Sequence, residues 1–166
     1  MSSTPLLNTN SNPAKSPTPP APGPSGFARG LLHTIGVLRA GLGASCVLLP
    51  SLTLAPFAYP ALSPAATVVV RMFGAREVVL GSFLLAAERN RAAAVRHSNP
   101  KEESVARKEV VRAIWHNAAA DGMDVLILIA AGAAGALEGR PLFMLVGAAG
   151  LFAGMGLELA GLYGRA

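Results

Sequence analysis

Four long apolar stretches alternate with polar or proline-rich segments along the chain. The stretches cover residues 31–49, 64–87, 113–137 and 141–163. A helix needs about 20 mostly apolar residues to cross the hydrocarbon core of a bilayer, and each stretch approaches or exceeds that length. The pattern therefore predicts an all-α integral membrane domain over residues 29–166, built as a four-helix bundle with four spans.

Proline and capping residues predict the helix boundaries. Pro50 ends the first span, and residues 50–63 are interrupted by prolines and carry no charge, which is typical of an interfacial loop. Ser63 followed by Pro64 predicts the start of the second helix, because a serine side chain caps a helix and proline fits its first position.

A polar segment, residues 88–112, separates the second and third stretches and contains seven Lys/Arg and four acidic residues. Within it Asn99 and Pro100 repeat the capping signal, so we expect the third helix to begin in water near Pro100. Gly139 predicts the end of that helix, and Pro141 predicts the start of the fourth.

Composition adds a disordered tail and an orientation. Residues 1–28 contain seven of the thirteen prolines and too few apolar groups to offset the entropy of ordering. Ten of the fourteen Lys/Arg lie before the first span, in the polar segment or at the C-terminus, so both termini are expected in the cytosol. This topology explains the net charge of +5, and no nucleic-acid partner is expected.

Seven ionisable side chains lie inside the predicted spans, namely Arg39, Arg71, Arg76, Glu77, Asp121, Asp124 and Glu158. A charge near a bilayer centre costs about 2.5–3.5 kcal/mol, so each needs a partner from another span. Counting about 1.5 Å per residue places the carboxylates of the third and fourth spans roughly 5–9 Å to the cytosolic side of the membrane centre. We expect a polar pocket that opens toward the cytosolic leaflet.

The spacing of these residues suggests which helix faces meet. Asn117, Asp121 and Asp124 share one face of the third helix. Gly74 and Gly81 flank Glu77 and allow a neighbouring helix to approach closely. Asp124 is expected to pair with either Arg76 or Arg71.

Neighbouring carboxylates raise each other's proton affinity, so one of them can serve as a general acid. The candidate catalytic residues are Asp121, Asp124 and Glu77, and the candidate substrate-binding residues are Arg39, Arg71, Arg76, Asn117 and Glu158. Three interpretations stay open for these charges: a network that only fixes helix register, a ligand or catalytic pocket, and a path for protons or ions. One cysteine and three scattered histidines form no metal signature, and no cofactor is expected.

Residues 71–81, Arg-Met-Phe-Gly-Ala-Arg-Glu-Val-Val-Leu-Gly, resemble the second span of a family of small four-span membrane proteins from fungi and bacteria. Asp121 and Asp124 are similar to that family as well, and a looser likeness extends to the DoxX-like four-helix bundles. Fungal members are sometimes encoded in secondary-metabolite gene clusters. The resemblance implies a protein of the endoplasmic reticulum that acts on a lipophilic metabolite, or assists enzymes that do, and it supplies no catalytic residues.

We therefore expect a small membrane component of a secondary-metabolite pathway; if it is catalytic, the expected chemistry is acid–base cyclisation or isomerisation of a lipophilic intermediate. One alternative is a non-catalytic accessory subunit that holds a partner enzyme through residues 88–112. A third is a small transporter. The expected partners are thus the lipid bilayer, a lipophilic substrate and a partner enzyme.

Overall fold

The computed structural model describes residues 23–57, 62–97, 99–135 and 139–165, and the helices found there confirm the predicted all-α fold. They are α1 (Gly26–Leu48), α2 (Pro50–Leu54), α3 (Pro64–Arg96), α4 (Pro100–Ala133) and α5 (Gly139–Gly164), with a 3-10 turn at Ala55–Phe57. The disorder predicted for residues 1–28 falls mostly outside the described residues. Only residues 23–28 are described, and the last three of them belong to α1.

The first helix begins five residues before its predicted start. Ser25 caps it, since its Oγ accepts a hydrogen bond from the backbone N–H of Ala28 at 3.2 Å. The helix ends just before Pro50, as predicted. Pro50 then occupies the first position of α2, so the irregular loop predicted from this residue onward is wrong for the stretch that α2 and the 3-10 turn cover.

The predicted starts of α3 and α4 are confirmed. Ser63 Oγ accepts a hydrogen bond from Ala66 N at 3.1 Å, and Asn99 Oδ1 accepts one from Lys101 N at 3.2 Å. In both helices the proline at the first position has no N–H to leave unpaired.

The end of α4 lies earlier than predicted. Gly135 adopts a φ of 68°, a left-handed conformation that glycine enters without strain, and its N–H bonds to the carbonyl of Gly132 at 3.0 Å. The chain therefore leaves the helix after Ala133. The stop predicted at Gly139 is wrong, because this residue is the first of α5.

The four long helices form an antiparallel bundle in the order α1, α3, α4, α5, and α5 closes the circle against α1. The closest approach is between α1 and α3. A Cβ atom added to Gly43 would lie 2.5 Å from the carbonyl oxygen of Gly74, and one added to Gly81 would lie 2.6 Å from that of Gly36. The close approach predicted for Gly74 and Gly81 is confirmed.

Helices α3 and α4 extend well beyond their predicted spans at the end where they meet. They contain 33 and 34 residues, or about 50 Å each at 1.5 Å per residue. Residues 88–112 thus form most of the tip of a long helical hairpin. The start of α1 and the end of α5 lie at this same end of the bundle. We call it the hairpin end.

Two helices are long and apolar enough to cross a membrane, α1 and the Phe143–Gly164 part of α5. Large apolar side chains are also exposed on the outer surfaces of the other two long helices, including Val69, Met72, Leu126 and Ile127. An exterior this apolar is compatible with contact to lipid. The structure thus supports a membrane association in general terms.

Candidate functional site

Five charged side chains from α1, α3 and α4 meet in the middle of the bundle. They are Arg39, Arg76, Glu77, Asp121 and Asp124, and we call them the charge cluster. Arg39 is 2% exposed, and Glu77 and Asp121 are each 4% exposed. Charges this deeply buried are tolerated only when they are paired, and the cluster provides the pairs.

Arg39 reaches diagonally across the bundle from α1 to α4. Its Nη1 donates to both carboxylate oxygens of Asp121 at 3.0 Å, and its Nη2 donates to Asp121 Oδ1. Its Nε lies 3.1 Å from Glu77 Oε2, an ion-pair distance without hydrogen-bond alignment. The ring of Phe152 on α5 lies 5.3 Å from the guanidinium carbon. Groups from all four long helices therefore surround this cation.

Arg76 forms the second half of the cluster. Its Nη1 donates to Asp124 Oδ1 at 2.7 Å, and its Nη2 donates both to Asp124 Oδ2 and, at 3.0 Å, to Glu77 Oε1. The ring of Phe73 lies 5.2 Å from the guanidinium carbon of Arg76. The predicted pairing of Asp124 with Arg76 is confirmed, and the alternative pairing with Arg71 is wrong.

The two halves of the cluster differ in how open they are. The Arg39–Asp121 half is fully buried, whereas the side chains of Arg76 and Asp124 are 35% and 18% exposed. Because Arg76 lies on α3 and Asp124 on α4, this pair forms a rim on the side of the bundle where those helices adjoin.

A buried apolar core separates the charge cluster from the hairpin end. It includes Leu32, Leu84, Ile114 and Leu159, one from each long helix, and all are fully or almost fully buried. The expectation of a pocket that opens toward the cytosolic leaflet, which is the hairpin end in the predicted topology, is therefore wrong. Helix packing fills that route, and the cluster is open at its side.

The cluster contains three carboxylates and two guanidinium groups. Oxygen atoms of Glu77, Asp121 and Asp124 all lie within 4.8 Å of one another, a spacing that also suits a metal ion. Each carboxylate, however, already contacts an arginine, and a cation would have to displace these groups. One carboxylate remains in excess, so the cluster can take up a proton and become neutral.

Asn117 lies one turn from Asp121 on the buried face of α4, as predicted. Its Nδ2 donates to the backbone carbonyl of Ala113 at 2.9 Å, while its Oδ1 accepts no hydrogen bond from the described residues. The side-chain amide nitrogen of Asn117 thus bonds to its own helix, one turn back along the chain.

Arg71 and Glu158 do not join the cluster. Both side chains are exposed, and neither makes an ion pair within the described part of the chain. Arg71 lies toward the end of the bundle opposite the hairpin, and Glu158 lies on the outer surface of α5. Their positions in the sequence predicted a depth within a span for Arg71 and Glu158, but not the direction in which their side chains point.

A second polar group was missed by the sequence analysis. Buried Arg91 donates to both oxygens of Glu88, at 2.7 and 2.8 Å, and the hydroxyl of Tyr163 donates to Glu88 Oε2 at 3.2 Å. The hydrogen bonds that Arg91 donates to Glu88 raise the pKa of Arg91. The opposite charges of Glu88 and Arg91, three residues apart on one helix, were a signal visible in the sequence. The contact of Glu88 with Tyr163 on α5 was not.

No protein family, curated protein or solved structure matches the chain. The family resemblance carried by residues 71–81 therefore stays a prediction.

Proposed function

We propose that the chain is a four-span protein of the endoplasmic reticulum membrane with both termini in the cytosol. In this proposal it serves a secondary-metabolite pathway and catalyses an acid–base cyclisation or isomerisation of a lipophilic intermediate. The resemblance at residues 71–81 supports the pathway, and the apolar exterior with a polar interior supports the kind of substrate.

The observation that carries the proposal is the partly exposed Arg76–Asp124 pair. A pair that serves only to fix helix register is best buried between helices, as Arg39 and Asp121 are. At the middle of a span, an exposed charge costs about 2.5–3.5 kcal/mol. A lipophilic molecule with a polar oxygen, entering sideways beside α3 and α4, would cover this pair and accept a hydrogen bond from Arg76.

The residues then have distinct roles. Asp124, the most exposed carboxylate of the cluster, exchanges a proton with the substrate, and Arg76 and Glu77 position it. Asp121 carries the charge of the buried half and is the second candidate for the proton. Cyclisation and isomerisation deliver a proton to one substrate atom and remove one from another, so they need no co-reactant.

The test compares metabolites from the parent strain, a deletion strain and strains with Asp124→Asn or Arg71→Gln. Asp124→Asn keeps the side-chain shape but removes the acid, so the same precursor should accumulate as in the deletion strain. Arg71→Gln removes an unpaired, exposed charge and should leave the product unchanged. Normal product from Asp124→Asn, at protein levels equal to the parent, would contradict the catalytic role.

A second candidate function is an accessory subunit, and a groove at the hairpin favours it. The groove has a volume of about 320 Å³ and is lined by Ala94, Lys101, Glu102, Val105, Ala106 and Glu109. Val105 is 58% exposed at its edge. An accessory role predicts that Val105→Asp lowers product formation evenly, without a new precursor, while Asp124→Asn at a normal protein level does not.

A further inference from the structure

Four arginines mark the points where the predicted spans end at the hairpin end of the bundle. They are Arg29, Arg89, Arg112 and Arg165, one within two residues of the end of each predicted span, and we call them the arginine ring. All four side chains are exposed. The ring is separate from the charge cluster, which lies deeper in the bundle.

The helix contacts bring the four arginines to one level. The contacts of Gly36 with Gly81 and of Gly43 with Gly74 place Arg29 beside the residue that precedes Arg89. The Arg76–Asp124 pair aligns α3 with α4 in the same way, so that Arg89 lies level with the residue that precedes Arg112.

The contact of Gly156 with Ala118 relates α5 to α4 and puts Arg165 within three residues of the Arg112 level. At 1.5 Å per residue, the backbone positions of the four arginines lie within about 5 Å of one another along the bundle axis. A band this narrow matches a single layer of charges parallel to the membrane surface.

Carboxylates of the described residues do not neutralise this ring. None of its arginines forms an ion pair there. The acid next to Arg89 in the chain, Glu88, is held by Arg91 and by the Tyr163 hydroxyl. The ring is therefore free to bind anions from outside the protein.

We propose that the arginine ring binds the phosphate and carboxylate groups of anionic phospholipids in the leaflet at the hairpin end. Arginine pairs with such groups through two parallel hydrogen bonds. Trp115, about one turn from Arg112, is 53% exposed, and in the proposed four-span topology it lies at the depth where tryptophan meets lipid headgroups. This binding rests on the proposed four-span topology but not on the proposed catalysis.

The only tryptophan of the chain provides a local probe. The full-length protein is reconstituted into lipid nanodiscs in which either phosphatidylserine or phosphatidylcholine carries bromine, at equal mole fractions. Bromine quenches tryptophan fluorescence on contact, so the ratio of quenching reports which lipid lies beside Trp115. We expect stronger quenching by brominated phosphatidylserine, and a weaker difference at high salt.

Two double variants with equal charge changes on the same helices sharpen the test. Arg89→Gln with Arg112→Gln removes half of the ring. Arg96→Gln with Lys101→Gln removes two exposed cations about 10 Å or more farther along the hairpin. The first pair should lower the preference for phosphatidylserine roughly fivefold per arginine, and the second should leave it unchanged.

Either of two results would overturn the proposal: equal quenching by both lipids in the unchanged protein, or an equal loss of preference in both double variants. The second result would assign the effect to the net charge of the hairpin. Circular dichroism of each variant confirms its helix content. If the double ring variant does not fold, Arg112→Gln alone, beside Trp115, decides between the same outcomes.

Discussion

Arg39 contacts side chains on all three of the other long helices. It neutralises Asp121, contacts Glu77 and packs against Phe152, and so links the helices on both sides of the bundle. Removing one member of a buried ion pair leaves an uncompensated charge, and this costs more than the pair itself contributes. The effect of a change at this residue therefore depends on the group it leaves behind.

We expect Arg39→Gln to lower the free energy of unfolding by about 3–5 kcal/mol, because Asp121 stays buried without a counter-charge. Arg39→Lys should lower the free energy of unfolding by less than Arg39→Gln does, since an ammonium group restores the charge but not the paired hydrogen bonds. Denaturant unfolding in detergent, followed by circular dichroism, measures both. Arg71→Gln is the control and should change the stability by no more than about 0.5 kcal/mol. Equal stability of Arg39→Gln and Arg71→Gln would refute this role.

Tyr163 offers a test of the second polar group. Its ring is fully buried, and its hydroxyl contacts Glu88. Tyr163→Phe keeps the ring and removes the hydrogen bond, so it should cost about 1 kcal/mol. Arg91→Gln should cost more, because Glu88 then loses its charged donor. The same unfolding measurement ranks the two variants, and the reverse order would argue against the observed pairing.

At the scale of elements, the contact between α1 and α3 decides how closely the charges of the two helices meet. Glycines bring the two backbones together on both sides of Glu77, so its short side chain can contact Arg39. The extent of α3 and α4 follows from their ends, where proline and capping residues start each helix and Gly135 ends α4. Local signals thus set the lengths, and small residues set the spacing.

Two glycines on α1 provide a matched test of this contact. A methyl group at Gly43 would collide with the backbone of α3, whereas one at Gly41 meets nothing within 4 Å. We expect Gly43→Ala to destabilise the protein by roughly 1–3 kcal/mol, as overpacking does. Gly41→Ala should be neutral or stabilise by up to about 1 kcal/mol, because alanine favours helix. Thermal unfolding in detergent compares them, and similar values for both would mean that α1 and α3 do not depend on close contact.

At the scale of the whole molecule, the bundle has an apolar exterior, a charged middle and a polar hairpin at one end. In the proposed four-span topology this hairpin lies in the cytosol with both termini. The short helix α2 lies between α1 and α3 in the chain, at the opposite end of the bundle, so the same topology places it on the other side of the membrane.

Cysteine labelling tests this topology. The protein has one cysteine, the buried Cys46, which Cys46→Ala removes. In that background we expect Ser104→Cys, exposed on the hairpin, to react with an impermeant maleimide in intact microsomes. Ser51→Cys, exposed on α2, should react only after permeabilisation. Labelling of both positions in intact microsomes would contradict the four-span topology.

Much of this arrangement was predictable, and the reason is local. The starts at Ser63 and Asn99 depend on residues next to them in the chain, and helix periodicity alone suggested that Asp124 meets a charge on α3. The diagonal contact of Arg39 with Asp121 and the hydrogen bond from Tyr163 to Glu88 depend on the register between separate helices. Spacing along one helix does not determine that register.

The distribution of charge over the helices has a consequence for biogenesis. To the charge cluster, helices α1 and α3 contribute Arg39, Arg76 and Glu77, an excess of one positive charge, whereas α4 contributes Asp121 and Asp124. In the proposed four-span topology, a nascent chain that has inserted only its first half therefore keeps one excess positive charge of the cluster, shared around Glu77, until α4 arrives. We expect two fragments divided at the α3–α4 turn to be degraded when expressed singly and to persist when co-expressed, as pulse-chase labelling would show. In this proposal, charge neutralisation acts as a checkpoint on the completeness of synthesis.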